Sequence, residues 1–597
     1  MSEATLRKPV AVEADPNVLQ RRASDPDYSV WVGASAGSGK TTILTKRVMR
    51  LLLAGVAPQR ILCLTFTRAA AAEMAIRVTQ GLSYWAICSD GELRASLDDL
   101  QGRAPEEKQL TEARRLFARL LACPGGMRIR TIHAFCQEIL RRFPIEAGLP
   151  PHFSVIEEDD ARALQEEVRA GILRDAARMP DSDIGRALRH LTGTLGEHGF
   201  AGIMGDVLSD RTRLQDAVAE TGSLAAVIAA LHARLGLGPE DSEENLCRAA
   251  VDGSVFPEVE LREAAQRLGE GSKSFAARGR DLLDWLELPA DERAAAFDRY
   301  CGFFLTAEGA ARAQFANKEM LKKYPGLDDV MRGEAARILA VRERIEAARM
   351  AEGTAAILTL GEEWIVRYEA RKAAQALLDY DDLVSRASRL LRREGIAPWV
   401  LYKLDGGLDH ILVDEAQDTS RAQWGIIAAL AEEFFAGSSA REGVNRTLFA
   451  VGDEKQSIFS FQHADPAAFA AMKELFARRI AEAGKLYRDV PLHISFRSAP
   501  AILRAVDAVF ADPRARAGVA LEPTAHAAHH RGKIGRVEVW PLIAAADEAA
   551  ADEAWGLPLG YEAARDPEAE LAARIAARIA DWWAKKEVLP GEGRNIA

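Results

Sequence analysis

Residues 34–41 read Ala34-Ser35-Ala36-Gly37-Ser38-Gly39-Lys40-Thr41, directly after the apolar run Ser29–Val32 and directly before a helix-like stretch that begins near Lys40. A glycine-rich turn between a strand and a helix, closed by Lys-Thr, is the phosphate-binding pattern G-x-x-x-x-G-K-[ST], here with Ala34 in place of the first glycine. The physics survives that replacement. Gly37 and Gly39 let the backbone curl so that N–H groups point inward at a β-phosphate, and the helix adds its positive N-terminal dipole. Ser35, Ala36, Gly37, Ser38, Gly39 and Thr42 then form the cradle around the phosphates. Lys40 reaches the β/γ oxygens, and the Thr41 hydroxyl ligates Mg²⁺. ATP with Mg²⁺ is the expected cofactor pair.

Three other apolar runs share the setting of Ser29–Val32: Ile61–Phe66, His410–Val413 and Thr447–Val451, each bounded by polar or turn residues and followed by a helix-like segment. Alternating strands and helices predict parallel β–α units, in which ligands sit at the carboxyl ends of the strands. The polar motifs follow these runs directly. In Ile411-Leu412-Val413-Asp414-Glu415-Ala416-Gln417-Asp418, two adjacent carboxylates leave a buried strand and must be solvated, paired or metal-bound. Asp414 is assigned to Mg²⁺ and Glu415 to the base that activates water; an N-cap with a first-turn acid is the alternative. In Val451-Gly452-Asp453-Glu454-Lys455-Gln456-Ser457, Gln456 is placed to sense a γ-phosphate. In His493-Ile494-Ser495-Phe496-Arg497-Ser498, Arg497 is either a cationic finger on that phosphate or a surface or ion-paired arginine. Phe66, Phe459 and Phe461 lie beside these motifs, as stacking platforms for single-stranded nucleic acid or as core residues.

The remaining chain sets the frame. Its 597 residues exceed one hydrophobic core and predict roughly three or four packing units of ~150 residues. Hydrophobic content of 48% with 28% charged residues belongs to a globular protein, and a net charge of −11 argues against a generally basic coat while leaving room for a local groove. Six scattered cysteines offer neither a metal cluster nor a disulfide framework. No signal-peptide core or membrane span is expected, so the location expected is cytoplasmic, without membrane. Between Pro150 and about Asp379, segments such as Asp160–Met179, Val259–Leu268, Arg280–Leu286 and Glu334–Met350 show helical periodicity without strands. The expected class is α/β: a RecA-like P-loop NTPase parallel sheet (1–145 and 375–487) with a large helical insertion (146–374). The start of a second RecA-like domain follows (488–597), with Arg536–Leu542 as a strand and Glu568–Trp583 as a helix.

The order ASAGSGKTTILTKRV, ILCLTFTRAAAAEMAIRV, RTIHAFCQEILRRFP, ILVDEAQDTS, VGDEKQSIFSFQHADP and ISFRSAP resembles the UvrD/Rep-type superfamily 1 DNA helicases. TIHAFC, LDYDDL and GDEKQSIFSFQHADP look most like the AddA type, the RecB-related helicase–nuclease subunits of bacterial double-strand-break repair. The resemblance implies that Gln20 reads the adenine edge and that Arg47 and Phe496 sandwich the base. Phe66, Thr67, His133 and Phe461 would contact single-stranded DNA. It implies an ATP-dependent 3′→5′ helicase or translocase acting on single-stranded DNA and duplex ends, beside an AddB-type partner subunit. Two later motifs of the family and its nuclease domain have no match before Ala597. The chain is therefore expected to be the N-terminal half of such a protein, and the alternative is a fragment that binds ATP and DNA but hydrolyses poorly.

Overall fold

The computed structural model describes residues 16–195, 197–252, 255–405, 407–435, 443–457, 465–517, 525–544 and 567–588. The strands in chain order are β1 (Ser29–Ala34), β2 (Ile61–Thr65), β3 (Arg128–Thr131), β4 (Ser154–Val155), β5 (Leu377–Leu378), β6 (His410–Val413), β7 (Thr447–Gly452) and β8 (Tyr487–Leu492). Six of them form one sheet in the order β3-β2-β6-β7-β1-β8, with every pairing parallel. The order places β6 and β7 between β2 and β1, so segments nearly 400 residues apart in sequence become neighbours.

Both faces of this sheet are covered, which is why its strands read as continuous apolar runs. Successive side chains still alternate between faces. Val30, Val32, Ile61, Cys63, Leu412, Phe449 and Val451 enter a core with Ile43, Leu44 and Val48 of the helix α2 (Lys40–Leu53) and Met74, Val78 and Leu82 of α3 (Arg68–Ile87). Trp31 points the other way, stacked on Trp424 at 5.5 Å and against Phe469 at 4.9 Å.

The chain divides into two compact units rather than three or four: residues 1–151 with 380–597, and residues 152–379. The second unit is helical apart from the two-residue parallel pair β4–β5, which joins its first and last residues. Its spine is a 48-residue helix, Leu327–Ala374, about 70 Å long at 1.5 Å per residue. The N-terminal half of this helix buries Met331, Ile338 and Ile345 in one core, and its C-terminal half buries Leu360, Trp364 and Tyr368 in another.

Two expectations need correction. A boundary at 487/488 cuts into β8, which pairs with β1 from Ser29↔Tyr487 to Ala34↔Leu492, so the first sheet extends to Leu492. Arg536–Leu542 forms no strand: Val539 and Leu542 are almost fully exposed, and an alternating sequence without a partner strand has no ladder to join. The helix expected at Glu568–Trp583 is present as Pro567–Ala584.

Candidate nucleotide and nucleic-acid site

All six strands run the same way, so their carboxyl ends share one edge, and each delivers a motif there. Ala34 ends β1 as a buried, extended residue paired to Leu492, a position that needs no glycine. The loop then turns on Gly37 (φ 73°) and Gly39 (φ 89°), conformations that strain any residue with a Cβ. Gly37 has a second constraint. A Cβ there would lie 2.6 Å from Arg497 Cβ and 2.8 Å from Ser495 Oγ, and Phe496 N–H donates to Gly37 O at 2.8 Å. The segment after β8 therefore lies directly on the loop.

Gly39 caps α2, whose first residues are Lys40 and Thr41. Lys40 Nζ donates to Glu415 Oε2 at 2.7 Å. Ser38 Oγ is buried in the loop without a hydrogen-bond partner, a polar group left over for a bound oxygen. Gln20, almost fully buried, sets its carboxamide beside Gly39, where a Cβ would meet Gln20 Nε2 at 3.4 Å, and its Oε1 accepts from Lys46 Nζ. Thr42 flanks the same glycine. These residues fit ATP with Mg²⁺: cradle, cation, hydroxyl and an acidic group on the next strand but one.

That acidic group follows β6. Asp414 is buried, and burial, with the charge of Glu415 second, pushes its carboxyl up to about 6. A carboxylate so costly to ionise in isolation is well suited to a metal cation. Glu415 adopts the left-handed conformation (φ 47°), which turns its side chain back toward Lys40. Gln417 Nε2 donates to Glu415 Oε2 at 2.9 Å and to Asp418 Oδ2 at 3.0 Å. Burial and the Glu415 charge lift Asp418 to about 6 as well. Past β7, Asp453 N–H donates to Gln417 Oε1 at 2.9 Å, and Gln456 Nε2 donates to Asp453 Oδ2. The structure thus brings Lys40, Glu415 and Gln456 into one hydrogen-bonded chain, through Gln417 and Asp453, to which the sequence reading gave no role. The signal was present in the motif itself: a glutamine between two acids, Glu415 and Asp418.

Arg47 is not at this site. Its guanidinium is fully buried and donates to Asp25 O at 2.6 Å, Tyr28 O at 2.7 Å and Thr447 Oγ1 at 2.9 Å, over the Phe449 ring. Thr447 opens β7 and Tyr28 precedes β1, so Arg47 serves the amino edge of the sheet, opposite the loop. Seven residues of helix carry it about 10 Å away from Lys40. It cannot sandwich a base. Phe496 is half-buried against His529, with ring centroids 4.6 Å apart.

At the ends of β2 and β3, Thr67 caps α3 by accepting from Ala70 N–H, leaving Phe66 half-buried before it. His133 meets Tyr380 edge-on at 5.7 Å, and Arg68 donates to the Tyr380 hydroxyl at 3.4 Å. Burial lowers the His133 pKa, which keeps the ring neutral and apolar enough to stack. Tyr380, from the LDYDDL stretch, is a further aromatic group of this edge that sequence reading left without a role. Phe459 and Phe461 lie outside the described residues.

A parallel sheet with a Lys-Thr-terminated phosphate loop on β1 and an acidic pair on β6 defines a RecA-like P-loop nucleotide-hydrolase domain. The chain belongs to the UvrD/REP helicase family: residues 17–252 and 329–477 match its N-terminal domain. It is 28% identical over 520 residues to the AddA-type ATP-dependent helicase/nuclease subunit of Moorella thermoacetica, covering 81% of this chain and 34% of that protein. The subunit of the same name from Enterococcus faecalis is 27% identical over 534 residues, covering 81% and 37% respectively. That from Desulforudis audaxviator is 28% identical over 519 residues, covering 81% and 38%. The chain spans little more than a third of the length of these curated relatives. Among the described residues no single helix is long and apolar enough to cross a membrane.

Proposed function

We propose that this chain is the ATP-hydrolysing motor part of a DNA helicase of the AddA helicase/nuclease type, moving 3′→5′ on single-stranded DNA in the cytoplasm during double-strand-break repair, beside an AddB-type second subunit. One observation carries the reading: six parallel strands deliver six motifs to one edge, so a phosphate loop, an acidic pair and an aromatic cluster share a single surface. Lys40, Thr41 and Asp414 would hold ATP and Mg²⁺, with the cation neutralising phosphate charge when bound. Lys40 then turns from Glu415 toward the phosphates. Glu415, held by Gln417, accepts the proton of the attacking water. Gln456 and Arg497 face the γ-phosphate, and Gln20 with Phe496 holds the adenine.

The aromatic end of the edge supports DNA as the stimulus. Phe66, His133 and Tyr380 stand where stacked bases of a single strand would lie, and base–aromatic stacking is worth about 1–3 kcal/mol per base. The test is ATP turnover by the purified chain with and without oligo(dT). Stimulation by single strands that is lost in His133→Ala and Tyr380→Ala, while turnover without DNA persists, supports the reading. Turnover indifferent to DNA would leave a P-loop ATPase with some other substrate.

A further inference from the structure

We infer that Gln417 is a positioning residue that ties the Glu415 carboxylate to the loop after β7, so that the aim of the hydrolytic carboxylate follows the conformation of Asp453–Gln456. The inference rests on the ATP-hydrolysis reading above and adds to it a residue with no assigned role.

A primary amide has two N–H donors and one carbonyl acceptor, and Gln417 uses all three. Both donors go to carboxylates, Glu415 Oε2 at 2.9 Å and Asp418 Oδ2 at 3.0 Å, and the acceptor takes Asp453 N–H at 2.9 Å. The side chain is 1% exposed, so no water competes for these groups. Flipping the amide would set its oxygen against two carboxylates and its NH₂ against a backbone N–H. The orientation is therefore fixed by its neighbours on both strands. Gly452, the last residue of β7, leaves the space: a Cβ there would lie 2.7 Å from Gln417 Oε1. The path continues, since Asp453 accepts from Lys455 N–H at 3.2 Å and from the Gln456 amide. Lys40 and Gln417 share Glu415 Oε2. Once Lys40 turns to a phosphate, Gln417 is the donor that remains on that oxygen.

No conservative replacement reproduces this pattern. Asparagine is one carbon short, and glutamate keeps an acceptor for Asp453 but places a third carboxylate beside two others. The experiment compares Gln417→Glu, Gln417→Ala and Gly452→Ala in the full chain. Its readouts are ATP turnover on oligo(dT) as a function of pH and amide hydrogen exchange at Asp453 without nucleotide. Misaimed by about an ångström, Glu415 should lose about tenfold to a hundredfold in kcat, with the KM for ATP within about twofold. The Gln417→Glu deficit should shrink toward pH 6, where a shared proton restores one donor, while Asp453 keeps its protection. Gln417→Ala should speed Asp453 exchange, and Gly452→Ala should do the same without altering any polar group. Adding Gly452→Ala to Gln417→Ala should cost little more in kcat.

Unchanged Asp453 exchange in Gln417→Ala would overturn the inference. So would a Gln417→Glu deficit that is flat with pH and shared equally by kcat and KM, since that is how a purely structural residue behaves. If the wild-type chain hydrolyses no ATP, the functional reading fails, and the exchange result alone decides whether Gln417 makes the bridge.

Discussion

Lys40 Nζ sits 2.7 Å from Glu415 Oε2, so the cation aimed at a phosphate is held by the carboxylate aimed at water. Lys40 is the more buried partner, and Glu415 remains about a third exposed, open to a water molecule. The pair separates binding from chemistry. Lys40→Ala removes the only formal charge that the phosphate loop contributes, and nucleotide affinity should fall at least about tenfold, the difference expected from one charge-assisted contact. Glu415→Gln frees Lys40 while keeping the shape of the site, so affinity should hold or rise while turnover drops about 10²–10⁴-fold. Fluorescent-ATP titration beside phosphate release measures both. Equal losses of affinity in the two variants would remove Glu415 from the role of base.

The acidic pair also sets a pH dependence. Asp414 and Asp418 are both pushed up to about 6, chiefly by burial, whereas unfolded aspartates titrate near 4. The folded chain therefore binds more protons than the unfolded chain between these values. Stability from these groups is full below about pH 4 and is lost as pH rises through about 6, on the order of 2 kcal/mol each. Mg²⁺ at Asp414 offsets the burial of its charge. Added MgCl₂ should raise the Tm at pH 7.5 and do little at pH 5. Asp414→Asn should raise the Tm at pH 7.5 without Mg²⁺ and abolish the response to the ion. A Tm response equal at both pH values would place the metal elsewhere.

Gly37 and Gly39 both occupy left-handed conformations, yet they are not equivalent. A methyl at Gly39 meets the movable tip of Gln20 at 3.4 Å, so Gly39→Ala should cost about 1–2 kcal/mol of backbone strain and a modest part of ATP affinity. A methyl at Gly37 collides with Arg497 Cβ and lies 3.3 Å from Arg497 N, atoms that cannot move without shifting the backbone after β8. Gly37→Ala should thus lower both the Tm and ATP affinity by clearly more than Gly39→Ala does. The reverse order would mean that residues 495–497 are free to leave the loop.

What the sequence made legible was local and periodic. Fully buried parallel strands announce themselves as apolar runs, and His410–Val413 was bounded to the residue because polar groups flank it on both sides. The phosphate loop was legible because its chemistry depends on residue type at fixed spacing. The strand order was not, since only packing brings β6 and β7 between β2 and β1. Arg536–Leu542 had the alternation of a strand but no partner, and pattern alone cannot supply one. Gln417 and Tyr380 were visible in quoted motifs, but their roles come from contacts: one with β7, 36 residues away, the other with His133. Arg47 failed for a related reason. An arginine one turn too far along α2 has the right type for stacking on a base, and burial rather than type decides where it works.

The Arg47 assignment has its own test. The guanidinium is fully buried, its pKa lowered to about 9 by that burial, so it stays charged near neutral pH. It holds the Asp25 and Tyr28 carbonyls and Thr447 Oγ1, while Thr447 Oγ1 also meets His410 Nδ1 at 2.8 Å. His410 is kept neutral by its own burial and then by the Arg47 charge, its pKa lowered to about 3. Arg47→Met fills most of the volume but strips three acceptors of their donor in a site closed to water, at a cost of about 2–4 kcal/mol. The Tm should fall by several degrees, and at a temperature where the variant is folded its preference for ATP over GTP should match the wild type. Gln20→Ala, beside Gly39 at the opposite edge of the sheet, should show the converse: a small change in Tm and a loss of that preference. If Arg47→Met instead keeps its Tm and loses the preference, the guanidinium reaches the base, and its place at the amino edge is wrong.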